Sequence, residues 1–399
     1  MSKRNIAFIT GVGYLPNWCG ISESLYQILN NLSNSALTVT TGKNGLYRKL
    51  TRDGKKVSHI NFDITKLTNL KRLNFLDHLS LLYEFIAYQI RLVFLLFRNK
   101  IKVVYISDPY ALILSFIPCK IINTKIIVGI RGPCDSLWLI SLLLFCHKIV
   151  VLSNEMKEVL LARFSQLKKG DRVEKKIEII YNGIAIPDIK GTHDERLIQR
   201  SLSLPFLKSS SSVFLLYVGL FDKRKGQLDF ISRVLPLLRS RQPQNINIYT
   251  LFVGAPKSYT DEAYFTLCQE TSVKEGMGPF VYFAGFQTNI WEWYLASDIV
   301  ILASQWEGQP RAVLEAMAYA RPVVTYDVLS VKEMLVNVDA GIVVPQGDAE
   351  GMAKAILSLA SDKQKRAILG QNGRKFIMEN MDISKIARKY DTLFEEHFT

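Results

Sequence analysis

Two short apolar runs with a helix-forming stretch between them constrain this chain more than anything else in it. Asp298-Ile-Val-Ile-Leu-Ala-Ser304 is β-branched and bounded by polar residues, so it reads as a buried strand; Arg321-Pro-Val-Val-Thr-Tyr326 reads as another. Between them, Glu307-Gly-Gln-Pro-Arg-Ala-Val-Leu-Glu-Ala-Met-Ala318 opens on a Gly-Gln-Pro turn and continues in good helix formers to Tyr319. Pro310 is expected as the first helical residue. Strand, helix and strand in that order form a β-α-β unit. Its loop lies at the carboxyl end of a strand, where open parallel sheets bind their ligands. Glu307 falls in that loop and Glu315 further along the helix.

The same rhythm runs through the whole chain. In the first half, strands are expected at Lys3–Thr10, Ala36–Thr40, Lys102–Ile106, Lys125–Ile130, Lys148–Leu152 and Ile177–Tyr181, with an amphipathic helix over Ile21–Leu32. The pattern loosens around Pro187–Ser212. A second series then starts at Val213–Val218 and continues through Ile246–Val253, Phe280–Ala284, Ile299–Ala303 and Val323–Tyr326. The expected fold class is therefore α/β, with two Rossmann-like, doubly wound parallel-sheet domains. Residues 1–190 form the first, residues 191–380 the second, and residues 381–399 a terminal helix with an apolar stripe at Ile383, Ile386, Tyr390 and Leu393.

Charge separates the halves. Residues 1–190 hold 27 Lys and Arg against 13 Asp and Glu, which is the whole net charge of +14; residues 191–399 hold 23 against 23. A basic half implies an anionic partner there: a membrane surface, a phosphorylated acceptor or nucleic acid. Residues 66–102 interleave Lys66, Lys71, Arg72, Arg91, Arg98, Lys100 and Lys102 with Leu, Phe and Tyr, which suits a helix lying on an anionic surface as well as a core helix with a solvated basic face. The stretch Leu79–Phe97 has the length to span a bilayer, but it contains Glu84, Gln89 and Arg91, and a central arginine alone costs about 2.5–3.5 kcal/mol on insertion scales. It is expected to lie on a membrane by charge, reversibly with salt. Met1-Ser-Lys-Arg before Ile6–Thr10 is too short in its apolar run for a signal sequence. The five cysteines include no C-x-x-C pair, the five histidines are scattered, and no D-x-D motif occurs, so neither a metal site nor a disulfide framework is expected.

The chemistry-bearing residues cluster in the second half. A helix amino end offers unpaired N–H groups and partial positive charge to a phosphate or sugar oxygen, and Gly308 lets backbone approach closely. A carboxylate on each flank can accept from sugar hydroxyls, Glu307 from a hexose and Glu315 from a ribose; the bland alternative makes Glu315 a solvent-facing helix residue. Carboxylates repel phosphates, so cations are needed from elsewhere. Tyr217-Val-Gly-Leu-Phe-Asp-Lys-Arg-Lys-Gly226 supplies them: a strand ends, Gly219 turns, and Lys223, Arg224 and Lys225 precede a helix expected over Gln227–Leu237. Loss of Glu315 is expected to weaken ligand binding and spare the core.

These motifs resemble the retaining, nucleotide-sugar-dependent glycosyltransferases of family-four type, which have the GT-B fold of two domains facing a cleft. The resemblance is continuous over about residues 213–360. It is carried by Val218-Gly219 with Lys225-Gly226, the Glu307/Glu315 pair, Ala316-Met-Ala318, Pro322-Val-Val324, Glu333, Gly341-Ile-Val-Val-Pro345 and Gly347-Asp348. It implies that Lys225 holds the donor diphosphate, that Glu315 holds the ribose, and that Glu307 with the backbone of Gly308, Gln309, Pro310 and Arg311 contacts the transferred sugar. The family usually has arginine where this chain has Leu220, so Arg224 is expected to supply that charge. In the first half, Gly20 matches one glycine of the family's phosphate loop, and Arg131-Gly132 stands where His-Gly is common, so Arg131 is the expected cation on the departing phosphate. The family's last helix packs back on its first domain. No cofactor is implied; the partners are a nucleotide-sugar donor, a glycan or lipid-linked acceptor and an anionic membrane surface, not nucleic acid. The expected place of action is the cytoplasm, peripherally on the inner face of the membrane, in assembly of a cell-surface polysaccharide.

Two rivals remain open at this point. A nucleotide-sugar epimerase needs carboxylate and histidine bases that the first half does not offer, and a non-catalytic basic protein leaves the glutamate pair unexplained. Gly11-Val-Gly13 does not make a dinucleotide site, because the third glycine would fall at Pro16 and no acidic residue closes the second strand.

Overall fold

The computed structural model describes residues 5–11, 20–33, 36–63, 74–132, 137–167, 169–189, 202, 204, 209, 211–256 and 259–398. The chain divides into two compact units, Met1–Ala185 with Ile383–Thr399, and Ile186–Asp382.

The first unit is built on a seven-stranded parallel sheet in the order β3-β2-β1-β4-β5-β6-β7. Its strands are β1 (Ile6–Thr10), β2 (Leu37–Thr40), β3 (Val57–His59), β4 (Val103–Ile106), β5 (Lys125–Ile130), β6 (Lys148–Val151) and β7 (Ile177–Ile179). The central strands are buried along nearly their full length, as expected of a parallel sheet covered on both faces. Helices α1 (Gly20–Asn31), α2 (Phe75–Arg98) and α3 (Pro109–Ile121) belong to this unit. The strand order reverses between β1 and β4, and there the Asp108 carboxylate accepts from Gly11 N at 2.9 Å and caps α3 through Ala111 N at 2.8 Å. Burial pushes the Asp108 carboxyl upward, and those N–H donors oppose the shift.

The second unit carries a six-stranded parallel sheet in the order β10-β9-β8-β11-β12-β13. Its strands are β8 (Ser212–Val218), β9 (Asn247–Val253), β10 (Val281–Gly285), β11 (Ile299–Leu302), β12 (Val323–Tyr326) and β13 (Gly341–Val344). The reversal falls between β8 and β11. Helix α4 (Arg311–Ala318) joins β11 to β12, and α5 (Lys363–Asn380) packs on α4.

The terminal helix α6 (Ile383–Glu395) is part of the first unit. Its stripe enters that core: Tyr390 and Phe394 are fully buried and pack at edge-on angles against Tyr105, and Phe394 also meets Phe8 at 5.7 Å between centroids. Ile383 N donates to Ile184 O at 2.9 Å, and a side chain at Gly183 would collide with Ile383.

The expected elements differ from the observed ones in three places. The edge strands β3 and β13 were not expected as strands; at three and four residues with few fully buried positions, neither has a strong pattern. The helix expected over Gln227–Leu237 runs to Arg241 and contains a π-helical stretch at Phe230–Val234. Pro310 is the N-cap rather than the first helical residue, with an extended ψ of 113°.

Truncating Phe394 to alanine should lower the stability of the first unit by about 3–5 kcal/mol, because it opens a cavity under Phe8 and Tyr105. Thermal unfolding with hydrogen exchange resolved by unit tests this: protection should fall in β1 and β4 and not in β8.

Candidate functional site

The site lies at the carboxyl ends of β8 and β11, beside the point where the second sheet reverses. Such a reversal splays the two connections to opposite faces and leaves a crevice between them. Two loops line it.

The loop after β8 turns at Gly219 and forms a single 3-10 turn, Lys223–Lys225. Asp222 caps that turn, its Oδ1 accepting from Arg224 N at 2.8 Å. Gly226 closes it at φ 76°, and a Cβ there would strike the carbonyl oxygen of Ala303, so only glycine lets this loop lie against the end of β11. Tyr217 fastens the same junction: its buried hydroxyl accepts from Ala303 N at 3.1 Å and donates to Lys225 O.

The loop after β11 carries Glu307, which is 8% exposed. Three donors meet its Oε1: Lys225 Nζ at 2.5 Å, Ser304 Oγ at 2.8 Å and Arg224 Nη1 at 3.3 Å. Burial by itself would raise the Glu307 pKa; the lysine and arginine outweigh it and hold the carboxyl below its ordinary value. Arg224 also donates to Trp306 O at 3.0 Å and lies 4.4 Å over the half-exposed Trp306 ring. Ser330 Oγ donates to Gly308 O at 2.7 Å, which fixes the turn. The Gln309 side chain is buried, with Nε2 3.6 Å from Met334 Sδ, so its amide points into the fold.

Helix α4 starts at Arg311 with no side chain capping its amino end. Glu315 is held on both oxygens: Oε1 pairs with Arg311 Nε at 2.7 Å, and Oε2 accepts from Tyr294 Oη at 2.8 Å. Tyr294 is fully buried, and its ring stacks on Tyr319 at 5.4 Å.

Of the expected site residues, Gly219, Arg224, Lys225, Glu307, Gly308, Gln309, Pro310, Arg311 and Glu315 all lie on these two loops and the helix that follows them. The expectation that Glu315 leaves the core untouched is corrected by its bond to buried Tyr294. Gly20 is the first residue of α1 and is exposed. Arg131 follows β5; its Nη1 donates to Asn182 Oδ1 at 2.7 Å beyond β7, and its guanidinium, with Nε and Nη2 shielded from solvent, lies by the Tyr105 and Tyr390 hydroxyls. Sequence reasoning did not select Tyr217, Tyr294, Ser304 or Trp306. Each acts on a residue distant in sequence or through a loop conformation, and only the spacing Ser304-x-x-Glu307 could have pointed to one of them. Among the described residues, no group of three His, Cys, Asp or Glu side chains gathers to hold a metal ion.

The two reversing parallel sheets and the charged crevice define a GT-B fold. Solved structures share it over nearly the whole chain: Anabaena Alr3699/HepE, crystallised with UDP, at TM-score 0.78 and 16% identity, covering 98% of this chain and 100% of that one. A glycosyltransferase from Rickettsia africae ESF-5 aligns at TM-score 0.79 and 17% identity over 100% of both chains. Residues 205–376, within the second unit, match the sequence model of the family described as Glycosyl transferases group 1. A lipopolysaccharide core biosynthesis mannosyltransferase, LpsB of Rhizobium meliloti, is 26% identical over 222 residues, 54% of this chain and 60% of its own length. An Escherichia coli UDP-Gal:α-D-GlcNAc-diphosphoundecaprenol α-1,3-galactosyltransferase is 24% identical over 253 residues, 62% of this chain and 59% of its own. The chain thus matches under two thirds of the length of either relative.

Glu315→Ala should destabilise the second unit by about 1–3 kcal/mol, because it leaves the buried Tyr294 hydroxyl with only a long contact to Ala312 O. Glu315→Gln should recover most of that in a melting experiment. The Glu307 pair has its own pH signature. Its folded pKa lies below the ordinary 4.5, so its contribution is complete above that pH and is lost as pH falls through the depressed value. Glu307→Gln should therefore show a shallower fall in melting temperature on the acid side than the parent protein.

Proposed function

We propose that this protein is a glycosyltransferase that moves a sugar from a nucleoside-diphosphate sugar to a glycan or lipid-linked acceptor, with retention of anomeric configuration, in the assembly of a cell-surface polysaccharide at the inner face of the membrane. The observation that carries the reading is the convergence of Lys225, Arg224 and Glu307 at the sheet reversal of a unit that matches the group 1 module.

The diphosphate is assigned to Lys225 and Arg224. Both cations already face one carboxylate oxygen, so an arriving phosphate competes with Glu307 for them at little cost in reorganisation. Glu307 Oε2 takes no part in those contacts and is assigned to a hydroxyl of the transferred sugar. The uncapped start of α4 offers N–H groups to the donor, and Glu315 is assigned to the ribose, with Arg311 and Tyr294 fixing its orientation. In the first unit, Arg131 is the assigned anion contact and Gly20 the point of close backbone approach. The bond from the anomeric carbon to the phosphate oxygen breaks and its electrons leave with the diphosphate. The acceptor hydroxyl attacks from the same face and passes its proton to the departing phosphate oxygen. Catalysis rests on position and charge, and no side chain is assigned as a covalent nucleophile.

Uridine diphosphate sugars are the first donors to test, since the solved Anabaena structures hold UDP and UDP-glucose. Calorimetry should detect donor binding that Lys225→Ala weakens about tenfold or more, by loss of a charge-assisted contact. Nucleoside diphosphate release should require an acceptor and should survive a chelator. A protein that binds no nucleotide sugar, or whose turnover is abolished by EDTA and restored by magnesium, would overturn the assignment of the phosphates to protein cations.

A further inference from the structure

Helix α2 is 24 residues long, about 36 Å at helical rise, and is two-faced in an unusual way. One face is part of the first unit: Leu81, Tyr88, Leu92 and Leu96 are buried, and Gln89 Nε2 donates to Leu114 O of α3 at 2.8 Å. The opposite face is apolar as well and faces water. Phe75, Leu76, Leu79, Leu82, Tyr83, Ile86, Ile90, Phe94 and Phe97 are all exposed, Phe75 and Phe97 by 75% and 72%. At helical spacing these positions fill one continuous arc of about 120°, and no polar residue falls inside it. Isolated exposed apolar residues are ordinary in soluble proteins; a stripe of this length is not.

We propose that this outer face of α2 is a docking surface for an anionic lipid bilayer, the helix lying flat with its apolar arc in the interfacial layer. The charges favour a membrane over another protein surface. Arg91 and Arg98 flank one edge of the arc, about 60° and 40° beyond it at helical spacing, and are exposed, so their long side chains can reach lipid phosphates. Beyond the carboxyl end of the helix, Lys100, Lys102 and Lys125 are exposed as well, with Lys125 N donating to Lys102 O at 2.8 Å. Asp77 and Glu84 are the only acidic residues of the helix and lie further round from the arc than the arginines, Glu84 by about 20° from Arg91 at helical spacing. Neighbouring α3 adds exposed Ile117 and Ile121. The arc is also wider than a two-helix seam requires.

The helix is long and apolar enough to cross a bilayer, but its inner face is committed to the first unit's core, so it lies on the membrane rather than through it. This changes the expectation drawn from charge alone. Electrostatic adsorption is reversed by salt, whereas nine inserted apolar side chains are not. Lys66, Lys71 and Arg72, also counted in that expectation, lie outside the described residues. The proposal does not depend on the catalytic reading, and its test does not read activity.

The full chain is mixed with vesicles of phosphatidylcholine alone and of phosphatidylcholine with phosphatidylglycerol, and co-sedimentation is measured in low and molar salt. The protein should bind the mixed vesicles more tightly and remain largely bound in molar salt. Ile86→Ser/Ile90→Ser/Phe94→Ser should weaken binding about tenfold or more with its melting temperature unchanged, because all three side chains already face water. Arg91→Gln/Arg98→Gln should remove the preference for the anionic vesicles and keep the salt-resistant part. Absence of binding to either vesicle, or triple-variant binding equal to that of the parent, would overturn the proposal. So would a dimer that the triple substitution dissociates in a protein that ignores vesicles, which would assign the face to a second copy of the chain.

Discussion

One carboxylate oxygen organises the charged crevice. Glu307 Oε1 is shielded from water and would be costly to bury alone, yet Lys225, Arg224 and Ser304 meet it from two loops that are 82 residues apart in sequence. The pair is tolerable only because the backbone beneath it is fixed first. Tyr217 ties Ala303 to Lys225, and Gly226 lets the β8 loop touch the end of β11. A sheet that reverses between those strands supplies the position; the aromatic bridge and the glycine supply the registration; the ions then have little freedom left to lose. Arginine stacked on Trp306 extends the arrangement to the rim.

The fold was legible in the sequence to the degree that its strands are buried on both faces. Runs such as Ile6–Thr10 and Ile299–Leu302 are continuous and β-branched because helices cover both sides of the sheet, and that is also why their rhythm is readable. Edge strands lack that cover, and β3 accordingly carries Val-Ser-His, which looks like any polar loop. The site divided similarly. Glu307, Glu315 and Lys225 could be chosen because charged residues in the loops and helix that follow strand ends are chemically conspicuous. Tyr217 and Tyr294 could not, since a tyrosine in a strand or a helix looks like core until its hydroxyl is seen to reach a distant backbone atom or carboxylate. Glu315 shows the consequence: a residue selected for ligand chemistry is also a structural partner.

Charge was a partial guide to the surface. Composition located the basic excess in the first half but gave no means of telling which apolar face of α2 is covered, because the helix has apolar residues on both sides. Burial separates the two faces: Leu81, Leu92 and Leu96 lie inside, while Ile86, Ile90 and Phe94 lie outside.

The return of α6 to the first unit bears on how the protein is made. Tyr105 and Tyr390, whose hydroxyls are 3.3 Å apart, are separated by 285 residues, and the whole second unit is translated between them. A ribosome therefore releases the first sheet with the place beside Phe8 and Tyr105 uncovered and keeps it so until α6 emerges, while the second unit, continuous in sequence, can fold in the interval. During synthesis the nascent first unit exposes an aromatic surface that the finished protein hides. Helix α6 thus acts as a late closure on a core made earlier, and a premature stop codon before Ile383 would impair the unit whose sheet was synthesised first.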